Sequence, residues 1–172
     1  MRYFLLISFL LSLGAFKATG QDSTSQWNVY EKPAYLIKYP PSWKLGFEVK
    51  PPVQFFLIDT LQIALLRTSV NLVIEDSRGI NLDEYVKVSV GQIKEMVKDV
   101  KILRNERHNT PSTNYHQVIY ATRQYGPALE IEQRYYIQKT KAYVLTLTYA
   151  AGDTSTYKKA GELILANFRL KK

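Results

Sequence analysis

The 172-residue chain contains no cysteine. That excludes a disulfide framework, a thiolate metal site and a cysteine nucleophile. It also excludes the lipid anchor that is attached to a cysteine at a signal-cleavage point. Histidine is scarce, with 2 residues, His108 and His116. Neither falls in the closely spaced helical pattern that marks a histidine-rich metal site. There is no glycine-rich phosphate loop and no Gly-x-Ser-x-Gly nucleophile elbow. Internal repeats, long linkers and low-complexity runs are absent as well, so one domain is the economical reading.

What the chain does have is apolar content of 46%, enough for a true core. It has 13 tyrosines against 7 phenylalanines and 2 tryptophans. Tyrosine joins bulk and strand propensity to a polar tip, which suits half-wet strands. The net charge of +8 speaks to solubility and weak attraction for anions, not to fold.

Met1–Gly20 reads as a secretory signal peptide. Arg2 supplies the positive start, Tyr3–Leu13 the apolar run, and Ala18-Thr19-Gly20 the small residues before a cleavage expected near Gly20. The apolar run stops near Phe16, short of the roughly 20 residues needed to span a bilayer. Export to a periplasm or the extracellular space is therefore expected, without stable membrane insertion after cleavage. Gln21–Gln26 reads as a disordered leader, and residues 27–172 as the folded domain.

Arg67–Val100 looks like the spine of that domain. Ser69–Asp76 is β-branched and apolar at its centre, as a central strand would be. Gly79 frees the turn that follows. Asn81 and Glu84 stand three apart, the spacing of a capping box, and predict a helix over Leu82–Val100. Leu82, Tyr85, Val86, Ile93, Met96, Val97 and Val100 form its apolar stripe. Lys87, Lys94 and Lys98 fall opposite and read as a solvated face, with binding of an anionic lipid or polymer as the alternative.

Before the spine, Tyr35–Tyr39 is a short strand, with Ser42-Trp43-Lys44 turning a corner and Trp43 plugging the core. Phe47–Lys50 suggests another strand. Val53–Ile58 is so apolar that both faces are expected to be covered. Leu61–Leu66 is open between strand and loop. After the spine, Lys101–Arg107 is a polar strand near an edge, Asn109–Asn114 a loop and Tyr115–Tyr125 a strand. Leu129–Gln138 and Tyr143–Tyr149 alternate and form a hairpin around Lys139-Thr140-Lys141. Asp153 or Thr154 is expected to cap a last helix.

Few residues invite a chemical reading. Glu130 and Glu132 share a strand face about 7 Å apart, a separation also found in glycoside hydrolases. Arg134 continues the same row, which favours a charge ladder. His108, His116 and Glu106 would form a metal site only if the chain brought them together. Gln133 alternates onto the apolar face of its strand. It either lines a cavity or makes a structural hydrogen bond to a tyrosine hydroxyl or a loop carbonyl, since an unpartnered buried amide costs about 1–3 kcal/mol.

One pattern extends over nearly all of Trp27–Lys172. It runs from Trp27 through Tyr39-Pro40-Pro41-Ser42-Trp43 and Ser69-Val70-Asn71-Leu72-Val73 before a helix. It continues with Glu132-Gln133-Arg134-Tyr135-Tyr136 and Ala142–Thr148, then Tyr157 and Asn167-Phe168. The chain resembles the PsbP-like family, named for an extrinsic subunit of photosystem II. That fold is shared with a Ran-binding import factor and bacterial exported proteins of unknown role. The resemblance implies an α+β fold, an α/β/α sandwich with a central antiparallel β-sheet. It also implies function through protein binding, and transfers no manganese, calcium or Ran-binding site. A short apolar leader is unlike a chloroplast transit peptide, so no photosynthetic role is expected.

The expectation is thus an exported, non-enzymatic interaction protein, an accessory or chaperone-like subunit with a protein partner in the cell envelope. Neither a cofactor nor a nucleic-acid partner is expected. The alternatives are a binder of a small or apolar ligand between sheet and helix, and a hydrolase without a recognisable motif.

Overall fold

The computed structural model describes residues 26–46, 50–61, 66–110, 113–123 and 126–171. The predicted leader Met1–Gly20 lies outside the described residues, as do 21–25, 47–49 of the suggested strand at Phe47–Lys50, and 62–65 of the undecided segment at Leu61–Leu66. Among the described residues no helix is long and apolar enough to cross a membrane.

The chain opens with β1 (Asn28–Glu31), β2 (Tyr35–Tyr39), β3 (Trp43–Gly46), β4 (Val53–Asp59) and β5 (Ser69–Asp76). Helix α1 (Leu82–Met96) follows. Four long strands come next, β6 (Lys101–Thr110), β7 (Thr113–Thr122), β8 (Leu129–Gln138) and β9 (Lys141–Ala150). Helix α2 (Thr156–Ala166) and β10 (Arg169–Leu170) close the chain. The large sheet is antiparallel with order β3-β4-β5-β9-β8-β7-β6. A small sheet has order β1-β2-β10.

The spine does connect the two halves of the sheet. β5 lies mid-sheet, but the next strand, β6, lies at the far edge. α1 makes that crossing, and β7, β8 and β9 then fill the gap by successive hairpins back to β5. Strand alternation separates two cores. Val118 and Tyr120 of β7, Ile131 and Tyr135 of β8 and Val144 of β9 pack under Leu82, Tyr85 and Val86 of α1. On the opposite face, Phe55, Leu57, Val70, Leu72, Leu145 and Leu147 pack under α2 and the small sheet. An α+β sandwich with a helix on each side of a central antiparallel sheet is the expected class.

The capping box forms as its spacing implied: the Glu84 amide donates to Asn81 Oδ1 at 3.0 Å, and the Asn81 amide to Glu84 Oε2 at 3.3 Å. Trp43 is buried. Other expectations need correction. Trp43 does not turn a corner; it begins strand β3 and pairs with Asp59, because Pro40-Pro41-Ser42 completes the turn before it. β4 is covered on one face only: Phe55 and Leu57 are buried, while Phe56 is 38% exposed, since α1 lies over the other half of the sheet. α1 stops at Met96, and Asp99 adopts a left-handed φ of 53° that redirects the chain into β6. Burial fades along α1, so Met96 is 72% exposed rather than part of the core stripe. Of the segment expected as a loop at Asn109–Asn114, Asn109 pairs with Asn114 and Thr110 with Thr113 in the strands, while 111–112 lie outside the described residues. β7 accordingly starts earlier than Tyr115 and ends at Thr122; 124–125 of the strand expected at Tyr115–Tyr125 lie outside the described residues. Ser155, not Asp153 or Thr154, caps α2; Asp153 instead accepts the Ser155 amide at 2.7 Å.

Candidate functional site

α2 leaves half of its sheet face uncovered. Gly161 brings the helix down onto Leu147 of β9, where an added Cβ would collide with the leucine side chain. The helix flank therefore rises directly beside the next strand, β8. Alternation places Glu130, Glu132, Arg134 and Tyr136 of β8 on this face. Beyond them stand Ile119, Gln117 and Tyr115 of β7, then Arg104, Glu106 and His108 of the edge strand β6. The result is an open groove along α2, floored by polar and aromatic side chains.

The groove has two lobes that share Arg134. The first, about 380 Å³, lies between Lys158 and Glu162 of α2 and the charged row of β8. Every carboxylate in it has partners. Glu130 accepts from the Tyr149 hydroxyl at 3.0 Å and the Gly152 amide at 3.4 Å. Glu132 is buried and accepts from Gln117 Nε2 at 2.7 Å and Arg134 Nε at 2.8 Å. Glu162 pairs with Lys158 at 2.5 Å. Burial, helped by the bond to Glu130, pushes the Tyr149 hydroxyl well above its ordinary pKa. The two glutamates do share a face, but each is tied into its own network.

The second lobe, about 440 Å³, lies between the β6–β7 hairpin and the end of α2. A row of rings crosses it. His108 of β6 stacks on Tyr115 of β7, with centroids 4.6 Å apart and planes 18° off parallel. From β8, the Arg134 guanidinium lies over the same ring at 5.1 Å. The two groups reach the Tyr115 ring from the two strands that flank β7. Tyr136 follows at 5.5 Å from Tyr115, and Phe168 at 5.2 Å from Tyr136. Burial raises the Tyr136 hydroxyl to about 12, with Arg134 and Arg169 pulling the other way. The exposed Ala166 and the half-buried Leu170 give the lobe an apolar wall, backed by the buried Leu165 and Phe168.

The residues singled out from sequence are not gathered at one point. His108 faces the groove and lies 4.0 Å from Glu106. His116 projects to the opposite sheet face, where Nε2 meets Asn105 Oδ1 at 2.6 Å and Nδ1 lies 3.6 Å from Asp83. The proposed histidine–glutamate cluster is thus divided by the sheet. Among the described residues no group of three or more side chains could hold a metal ion. Gln133 lies on the α1 face. Its Oε1 accepts from the Tyr135 hydroxyl, and its Nε2 points to Thr146 Oγ1 at 3.5 Å. Nearby, the Tyr85 hydroxyl donates to Glu75. Lys87 and Lys94 are exposed on α1, beside a shallow hollow shared with Asp83 and His116.

Sequence reasoning did not find the groove. The alternation of β8 does put Glu130, Glu132, Arg134 and Tyr136 on one side. Which strands stand beside them depends on register with β6 and β7, which no local pattern carries.

No protein-family model matches the sequence, and no curated protein matches it. Solved structures do. Cyanobacterial PsbP from Synechocystis superposes with a TM-score of 0.62 at 14% identity, covering 92% of this chain and 99% of that one. LpqN of Mycobacterium tuberculosis, described as involved in cell envelope biogenesis, gives 0.63 at 12% identity over 86% and 91% of the two chains. A Pseudomonas aeruginosa protein of unknown function gives 0.59 at 14% identity over 81% and 93%. Identities this low speak for architecture alone. The chain has the PsbP-like fold.

Proposed function

We propose that this is an exported, non-enzymatic interaction protein of the cell envelope, an accessory or chaperone-like subunit that holds a partner protein in the groove along α2. The observation that carries the reading is the open groove itself. It runs the length of a helix, its carboxylates are already paired, and its floor mixes aromatic and charged side chains. Such a surface suits contact with an extended partner better than enclosure of a small substrate. The leader read at Met1–Gly20 supports export, and LpqN, similar in fold, is described as involved in cell envelope biogenesis.

Capture of the tagged mature protein from its native envelope tests this. Proteins enriched by the wild type are expected to be lost with Arg104→Glu plus Lys158→Glu, which reverse charge in the first lobe. They should be kept with Lys87→Glu on the α1 face. An enriched set that ignores the groove variant would contradict the reading.

A second reading, a binder of a small or apolar ligand between sheet and helix, has one observation in its favour. A cavity of about 380 Å³ lies between the end of β5 and α1, lined by Glu75, Ser77, Arg78, Ile80, Tyr85 and Val88 among others. The Ser77 hydroxyl there is buried without a hydrogen-bond partner.

A further inference from the structure

We infer that the second lobe of the groove recognises an acidic side chain, flanked by an apolar one, on an extended polypeptide segment of the partner. The inference rests on the groove being the docking site and adds what it selects.

Three observations carry it. The first is charge. Arg134 and Arg169 both line this lobe, with no carboxylate among its lining residues. Glu132 already neutralises Arg134 from the neighbouring lobe at 2.8 Å. Arg169 is different. It is exposed, and among the described residues its side chain bonds the Ala166 and Phe168 carbonyls and ion-pairs with no carboxylate. Among the described residues the lobe is left with one uncompensated positive charge, which a single carboxylate would match.

The second is the state of the rings. A sugar polymer would need an open aromatic face to stack on. The Tyr115 ring is already taken up, stacked with His108 and in contact with the Arg134 guanidinium. Tyr136 is engaged by Tyr115 and Phe168. What remains accessible is the exposed Ala166 and the half-buried Leu170 beside a cationic rim, the complement of an apolar and an acidic side chain in sequence.

The third is length. From Glu130 to Tyr136 the floor extends about 20 Å at the strand rise of roughly 3.3 Å per residue. A segment of six extended residues would span both lobes, placing the acid at the Arg169 end.

Phage-displayed random decapeptides panned on the purified mature protein provide the probe. Selected sequences are expected to be enriched in Asp or Glu next to an apolar residue. By fluorescence anisotropy the best peptide should bind about fivefold more tightly than its Asn or Gln counterpart. Arg169→Gln should abolish that preference, and Arg169→Lys should keep part of it. Phosphatidylglycerol vesicles and a soluble acidic polysaccharide form the other arms. Peptides selected with no acid preference would overturn the inference while leaving the groove as a docking site. Failure to select any peptide, or Arg169-dependent binding to vesicles or polysaccharide alone, would overturn it outright. Loss of capture with the first-lobe variant but not with Arg169→Gln would leave the proposed function standing without it.

Discussion

The pair at the join of the two lobes gives the sharpest energetic prediction. Glu132 and Arg134 have side chains only 4% and 13% exposed, and Glu132 also accepts from Gln117. Removing one member of a buried pair strands the other and costs about 3–5 kcal/mol. Glu132→Leu should fall at the low end, about 3 kcal/mol, because Arg134 keeps its contact with Tyr115 and a path to water in the groove. Arg134→Leu strands the more buried Glu132 but leaves it the bond from Gln117, so about 3 kcal/mol is expected here too. The double variant strands only the neutral Gln117 amide and should cost about 3 kcal/mol, not the sum of the two. The coupling is then about 3 kcal/mol. Urea unfolding of the four proteins, with unchanged slopes, measures it. Simple addition of the single costs would refute the claim that these residues form one clamp under the groove.

Two other consequences can be checked with the same purified protein. Burial holds the His116 imidazole below its ordinary pKa, against the pull of Asp83 and in line with the push from Arg107 and His108. A depressed folded-state value means that the unfolded chain binds the extra proton first, so this contribution is present above about pH 6.5 and is lost as pH falls from there through the folded value. Thermal melts should show that loss in the wild type and a shallower one in His116→Gln. Gly161→Ala would gain up to about 1 kcal/mol in helix propensity. It would also force α2 away from the fully buried Leu147, at about 1–3 kcal/mol. A net loss is expected, and it should vanish when Leu147→Ala makes room.

Much of this architecture was legible wherever the code is local. Asn81 and Glu84 specify a helix start through hydrogen bonds within one turn, and they form it. Alternation in β8 and β9 assigned side chains to faces correctly, because the strand period is fixed by the backbone. Local signals failed where partners decide. Val53–Ile58 reads as doubly covered, but whether Phe56 is covered depends on where α1 crosses. Asn109–Asn114 has loop composition, yet cross-strand pairing extends β6 and β7 to Thr110 and Thr113. His108 and His116 looked able to meet across that loop. The hairpin register pairs His108 with Tyr115 and sends His116 to the other side. The groove was the least legible feature, since it arises from the place where α2 stops covering the sheet.

The central claim is that a partner protein lies along α2. Photo-crosslinking in the native envelope tests it most directly. A crosslinking residue at Leu103 reports on the first lobe and one at Ala166 on the second, while Val88 and Met96 are exposed on α1 across the sheet. The account predicts the same protein adduct from Leu103 and Ala166 and none from Val88 or Met96. Adducts from the α1 positions, with none from the groove, would contradict it.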